Sequence, residues 1–212
     1  DAVFEDITID AVKIGMVHNK TAAEIIVETI DKFSPAYIIL DPVMISTSGN
    51  KLLQDDAIEI IVRELFVRST LVTPNIDEAE YLSGVKIFSE KDMDLAAGKL
   101  LSRGCKAVLM KGGHLKTKDM TDILYMSEMS PVRLSAETIE TTNGHGTGCT
   151  LSSAIAAYLA LGMNLPEAVG SAKEYITQAI QSGKDVKTGH GHGPLNHFFA
   201  PVPLHKIEMN RS

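Results

Sequence analysis

The sequence predicts an α/β fold, a mostly parallel sheet with helices on both faces. Three observations predict it. Short apolar runs, AVKIG (11–15), AYIILDPV (36–43), TLVTP (70–74) and CKAVLMKGG (105–113), recur along the chain. They are apolar throughout rather than alternating, which fits strands buried on both faces. Segments of helical periodicity lie between them, and strand–helix alternation favours parallel neighbours with covering helices. No internal repeat, low-complexity segment or linker interrupts this order, so residues 1–212 read as one domain.

AVKIG is a buried strand ending at a glycine. Thr21-Ala-Ala-Glu24 has the form of a capping box and opens a helix carrying Ile25, Ile26, Val27 and Ile30, ended by Pro35. AYIILDPV is the second strand, stopping at Asp41. Residues 55–67 form an amphipathic helix with Ile58, Ile61, Val62, Leu65 and Phe66 on its apolar face. TLVTP is the third strand and IDEAEYL (76–82) starts the next helix. Ser89 and Asp92 form a second capping box, for a helix ending near Gly104. CKAVLM is the fourth strand. TDILYM (121–126) and PVRLS (131–135) have no room for a helix between them and predict an antiparallel hairpin at the sheet edge. One helix begins near Cys149, and another runs from about Pro166 to Gly183. The glycine- and histidine-rich tail from Gly189 is loop.

The composition excludes several classes of function. The 212 residues are 44% hydrophobic and 22% charged, as in ordinary globular proteins. The net charge is −7 and no Lys/Arg cluster exceeds two residues, so nucleic acid is not an expected partner. No apolar run reaches the roughly 18 residues that span a bilayer, and the acidic start lacks a signal-peptide pattern. Two cysteines do not make a disulfide framework. A reducing, cytoplasmic compartment is expected.

In parallel α/β sheets ligands bind beyond the carboxyl ends of the strands. Asp41, Thr73, Asn75, Lys111 and Gly112 all fall there. NGHGTGCTLSSA (143–154) alternates glycines before a helix start. Glycine lets backbone approach a ligand, and the helix offers free N–H groups and a positive dipole end, a hole for phosphate or oxyanion. A tight turn that binds nothing is the competing reading. Asp41 is a metal ligand, a proton acceptor or a turn cap. Asn75 and Glu78, three apart at a helix start, suit an oxygen-ligand Mg²⁺ site or simple N-capping. Lys111 could meet phosphate. His190 and His192 alternate with glycines, and with His197 they fit a flexible loop better than a metal site.

Seven motifs occur in one order: KIGM (13–16), DPVM (41–44), SG (48–49), TPNxxE (73–78), KGGH (111–114), HGTGCTLSSA (145–154) and GxGxGPLNHF (189–198). Together they resemble the hydroxymethylpyrimidine and phosphomethylpyrimidine kinases of thiamine biosynthesis, over nearly the whole chain. The resemblance implies a ribokinase-like three-layer αβα sandwich. It also implies ATP- and Mg²⁺-dependent phosphorylation of 4-amino-5-hydroxymethyl-2-methylpyrimidine and then of its monophosphate, by an enzyme expected to be a homodimer. It assigns Gly146, Thr147, Gly148 and Cys149 to the anion hole over the transferring phosphate. Asn75 and Glu78 fall in the Mg²⁺–phosphate region, with Glu78 the metal ligand. Asp41, Lys111 and Lys173 fall near ATP, and Met16 and Val43 flank the pyrimidine. Cys149 stands where most ribokinase-like enzymes carry a catalytic aspartate. A helix N-terminus favours a thiolate there.

Two departures stand out. Thr47 precedes Ser48-Gly49 where many relatives have lysine. The family's opening strands, with a glycine-rich loop and a glutamine that binds the ring, are expected to lie outside this chain. A pyridoxal-type kinase, a thiol hydrolase pairing Cys149 with His145, and a non-catalytic pyrimidine-binding protein remain the alternatives.

Overall fold

The computed structural model describes residues 1–44, 52–113, 119–187 and 189–206. Among them six strands form one sheet in the order β1-β2-β3-β4-β5-β6. They are β1 (Ala11–Ile14), β2 (Tyr37–Leu40), β3 (Leu71–Val72), β4 (Ala107–Met110), β5 (Asp119–Met126) and β6 (Val132–Glu137). β1 to β4 run parallel. β5 and β6 form the expected antiparallel hairpin, with β6 at the edge.

Successive strand residues point to opposite faces. Ile14, Ile38, Leu40, Val72, Val108 and Met110 enter one buried cluster, and Ile39, Leu71, Ala107 and Leu109 enter another. The first is covered by α2 (Lys20–Phe33), α3 (Asp55–Ile60), α4 (Phe66–Arg68), α5 (Ile76–Ser83) and α6 (Glu90–Leu101). The second is covered by α7 (Thr147–Ala160) and α8 (Leu165–Gly183). The result is the three-layer arrangement that the sequence implied.

Three local features differ from expectation. The cap of α2 is Asn19, not Thr21: the Asn19 side chain accepts from the Ala22 N–H at 2.9 Å. Asparagine caps at least as well as threonine, so the earlier residue captures the end. A π-helical turn, Ile61–Leu65, lies between α3 and α4. It re-phases the buried face, letting Ile60, Ile61, Leu65 and Phe66 all reach the core. The start also forms a short helix, α1 (Ala2–Asp6), which the sequence did not announce. Tertiary contact holds it: Phe4 stacks on Phe33 at 4.7 Å, and Lys32 pairs with Asp1 at 3.1 Å.

The parallel register brings Asp41, Thr73 and Lys111 out at one end of the sheet, each just past β2, β3 or β4. A bridge between Asn75 and Lys111 extends the ladder one step beyond the strands. At that end β4 and β5 approach so closely that a Cβ on Gly112 would strike the Thr121 carbonyl oxygen, while the Gly112 N–H donates to Asp122 at 3.0 Å. Gly98, by contrast, lies mid-helix on an exposed face with open space around it. Gly98→Ala should therefore stabilise the chain by about 0.5–1 kcal/mol. Gly112→Ala should destabilise it by at least that amount, because backbone must move. Urea melts of the two variants check both signs.

Candidate active site

Asp41 is the centre of the site. Its side chain is 1% exposed and gathers groups from four other elements. Lys111 Nζ and Thr73 Oγ1 donate to Oδ1 at 2.9 and 3.1 Å. Ser152 Oγ, on α7, lies 3.3 Å from Oδ2, and Lys13 Nζ, on β1, is 3.8 Å from the same oxygen. A buried carboxylate is tolerated only when paired and hydrogen-bonded. Here it has two ammonium partners, Lys111 within hydrogen-bond distance and Lys13 beyond it.

The glycine segment meets this cluster. Gly146 caps α7 in the left-handed conformation, φ +88°, where a side chain would be strained. No side chain caps the helix and its first turn holds no acidic residue. The first hydrogen bond of the helix ladder comes from the Thr150 N–H to the Gly146 carbonyl at 2.9 Å. The amides of Gly148 and Cys149 precede it, at the positive end of the dipole. A Cβ on Gly148 would stand 3.3 Å from Lys111 Nζ, so that ammonium lies against the helix start. Backbone amides and a lysine thus converge where an anion would sit.

Asn143 fixes the path of this loop. It is 5% exposed, its Nδ2 donates to the carbonyls of Gly183 (2.7 Å) and Val186, and its Oδ1 accepts the Gly193 N–H at 3.1 Å. His145 N–H donates to Gly193 O at 3.4 Å. The tail is loop, as read, but Leu195 is buried and the segment is tied to the helix-start loop.

The two cysteines differ. Cys105 is buried, and burial pushes its thiol up to about 12. Cys149 is exposed in the first turn of α7. Among the described residues no hydrogen bond joins it to His145, which the hydrolase alternative would require to activate the thiol.

Glu78 is 2% exposed and closes a full capping box. Its Oε2 accepts the Asn75 N–H at 2.8 Å, Asn75 Oδ1 accepts the Glu78 N–H at 2.9 Å, and Oε1 accepts the Met44 N–H at 3.4 Å. Burial raises its pKa, Lys111 pulls it down and Asp41 pushes it up. Glu78 therefore feels both charges of the central pair. Among the described residues no three His, Cys, Asp or Glu side chains are grouped to hold a metal. Two coupled buried carboxylates beside an anion hole do fit a Mg²⁺ ion that shares its shell with phosphates and water.

Lys173, on α8, donates to Asp122 Oδ2 at 2.7 Å, and Asp122 in turn accepts from Gly112. It is braced to the end of β4 and lines an open groove of about 780 Å³ between β6 and α8. A neighbouring cavity of about 300 Å³ is bounded by Glu137, Ile139, Gln181 and Phe199. Met16 and Val43 lie at the opposite side, past β1 and β2, with Met16 57% exposed. Thr47, Ser48, Gly49 and His114 lie outside the described residues.

Sequence reading missed Lys13, Asp122, Asn143 and Ser152. Lys13 and Asp122 carried a signal, a charge inside an otherwise apolar strand. Ser152 follows Cys149 by three, one helical turn along the same face.

Known proteins agree with this geometry. The sequence profile of the family described as phosphomethylpyrimidine kinase matches residues 1–196. A hydroxymethylpyrimidine/phosphomethylpyrimidine kinase of Rhizobium meliloti is 44% identical over 199 residues, covering 93% of this chain and 74% of that protein. The crystal structure of a phosphomethylpyrimidine kinase from Clostridium difficile superposes with a TM-score of 0.73 at 45% identity, over 84% of this chain and 72% of that one. An ADP complex of Bacillus subtilis pyridoxal kinase gives a TM-score of 0.81 at 34% identity, over 91% and 71%. With nearly its whole length matched and its anion hole at the expected sheet end, the chain belongs to the phosphomethylpyrimidine kinase family.

Proposed function

We propose that this chain, as one kinase domain over residues 1–212, transfers phosphate from ATP to 4-amino-5-hydroxymethyl-2-methylpyrimidine and then to its monophosphate. The observation that carries the reading is the Lys111 ammonium set against the uncapped start of α7, beside buried Asp41. Phosphoryl transfer asks the protein mainly for positioning and charge stabilisation, and this arrangement supplies both.

In this reading Met16 and Val43 flank the ring and aim the hydroxymethyl group at α7. The amides of Gly148 and Cys149, with the Gly146–Thr147 turn shaping them, receive the oxygens of the transferring phosphate. Lys111 and Lys173 serve the nucleotide side. The Cys149 thiolate accepts the hydroxyl proton as the new O–P bond forms and the bond to ADP breaks. Asp41 and Glu78, with Asn75 holding Glu78 in place, would hold Mg²⁺. That ion, when bound, neutralises phosphate charge. The enzyme works in the cytoplasm as a homodimer. No helix among the described residues is long and apolar enough to cross a membrane.

The pyridoxal kinase likeness favours one second reading, a kinase for the hydroxymethyl group of pyridoxal. An ATP-dependent assay of both alcohols separates them. The first reading expects the pyrimidine to be turned over with the higher kcat/KM.

Three substitutions test the base. Cys149→Ala should lose roughly 10²–10⁴-fold in kcat, the usual worth of acid–base catalysis. Cys149→Asp should retain more activity than Ala, and Cys149→Ser should resemble Ala. Near-parent turnover by Cys149→Ala, with ATP affinity unchanged, assigns the motif to its backbone amides alone.

Glu78→Gln should raise the Mg²⁺ concentration needed for half-maximal rate and slow turnover more than it weakens pyrimidine binding, because a hard cation prefers charged oxygen. A Mg²⁺ titration identical to the parent's leaves Glu78 as a helix cap.

A further inference from the structure

Among the described residues, Lys13 is the site cation for which the mechanism above has no use. It projects from β1, and its side chain is only 19% exposed. Its ammonium leans forward along its own strand, past the carboxyl end, so that a Cβ on Gly15 would stand 2.8 Å from Nζ. Its partner Asp41 is 3.8 Å away, too long for a hydrogen bond. Asp41 does not depend on it, since Lys111 and Thr73 bond to one carboxylate oxygen and Ser152 lies near the other.

Strand order places the two lysines on opposite sides of Asp41. Lys13 lies on β1, Asp41 follows β2, and Lys111 follows β4. The open groove between β6 and α8 lies on the Lys111 side. Gly15 and Met16 continue from β1 on the Lys13 side. Lys111 therefore faces the nucleotide half of the site and Lys13 the acceptor half.

The two reactions differ in the acceptor. The first takes a neutral alcohol, and the second takes an oxygen of a phosphate dianion. Among the described residues the Lys13 ammonium has only the 3.8 Å pair with Asp41; the alcohol offers it a neutral acceptor, whereas the phosphate offers a stronger, charge-assisted one.

We propose that Lys13 is the specificity residue for the second phosphorylation, holding the phosphate of the pyrimidine monophosphate through its ammonium group. In that step an oxygen of the bound phosphate attacks the γ-phosphorus of ATP. The new P–O–P bond forms as the bond to ADP breaks, and Lys13 offsets charge on the acceptor. This rests on the function proposed above and divides its two steps between different residues.

The test is kinetic, on the whole chain with ATP, Mg²⁺ and each acceptor in turn. Lys13→Gln should lower both steps. It should lower kcat/KM for the monophosphate by on the order of 10–100-fold more than for the alcohol, the worth of one hydrogen bond to a charged group. Lys13→Arg should restore most of the difference. Gly15→Ala, which displaces the ammonium without removing its charge, should shift the ratio in the same direction. An equal fall in both steps, as expected if Lys13 only screens Asp41 or binds ATP, overturns the proposal.

A second measurement does not depend on the variants folding. In the parent chain labelled with [¹³C]lysine, the Lys13 ε-carbon resonance should move with the monophosphate and stay put with the alcohol. Equal responses overturn the assignment. A parent chain that neither binds nor phosphorylates either compound overturns instead the function on which it rests.

Discussion

The ion pair between Asp41 and Lys111 is the interaction on which the rest of the site depends. A carboxylate 1% exposed and an ammonium 16% exposed, 2.9 Å apart, are costly to place at the edge of a core. Well-packed apolar residues would often serve stability as well or better. What the pair supplies is position. The lysine is drawn away from bulk water and held beside the helix start, and the carboxylate is held at the sheet end where a cation could join it. The parallel sheet makes this possible, because residues separated by 70 positions in sequence leave β2 and β4, the strands on either side of β3, at the same end.

The helix start is shaped to leave its amides available. Most helices use a side chain to satisfy the first N–H groups, as Asn75 does for α5 and Asn164 for α8. At α7 a left-handed glycine takes that place and the amides face the site. The order that the missing cap would have supplied comes from Asn143, which ties the loop to the end of α8 and to the tail. Gly193 has room for no side chain because the Asn143 amide fills that space; its Cγ lies 2.7 Å from where a Cβ would be. Glu78 shows the same economy. One carboxylate closes the cap of α5 and sits within electrostatic reach of both members of the central pair.

The sheet and its covering helices were legible because their apolar patterns are long and mutually consistent. The strand-end rule found Asp41, Thr73 and Lys111, since it needs only the strand boundaries. The local determinants were harder to read. Thr21 and Asn19 both precede the same helical run, and only the backbone geometry selects Asn19. The π-helical turn answers the packing of two adjacent apolar pairs, which a simple periodicity averages away. Ser152 and Asn143 act through contacts that cross 111 and 50 positions of sequence, and no local pattern shows those partners. Lys13 and Asp122 were visible as charges within apolar strands, but their partners were not.

The central claim is that Lys111 and the first amides of α7 together receive the transferring phosphate. A crystal structure of the chain with a non-hydrolysable ATP analogue, Mg²⁺ and the pyrimidine alcohol tests it most directly. The account predicts the terminal phosphate within hydrogen-bond distance, about 3 Å, of the Gly148 or Cys149 amide and of Lys111 Nζ. A terminal phosphate bound away from the start of α7, with Lys111 still closed on Asp41 and touching no nucleotide, would contradict it.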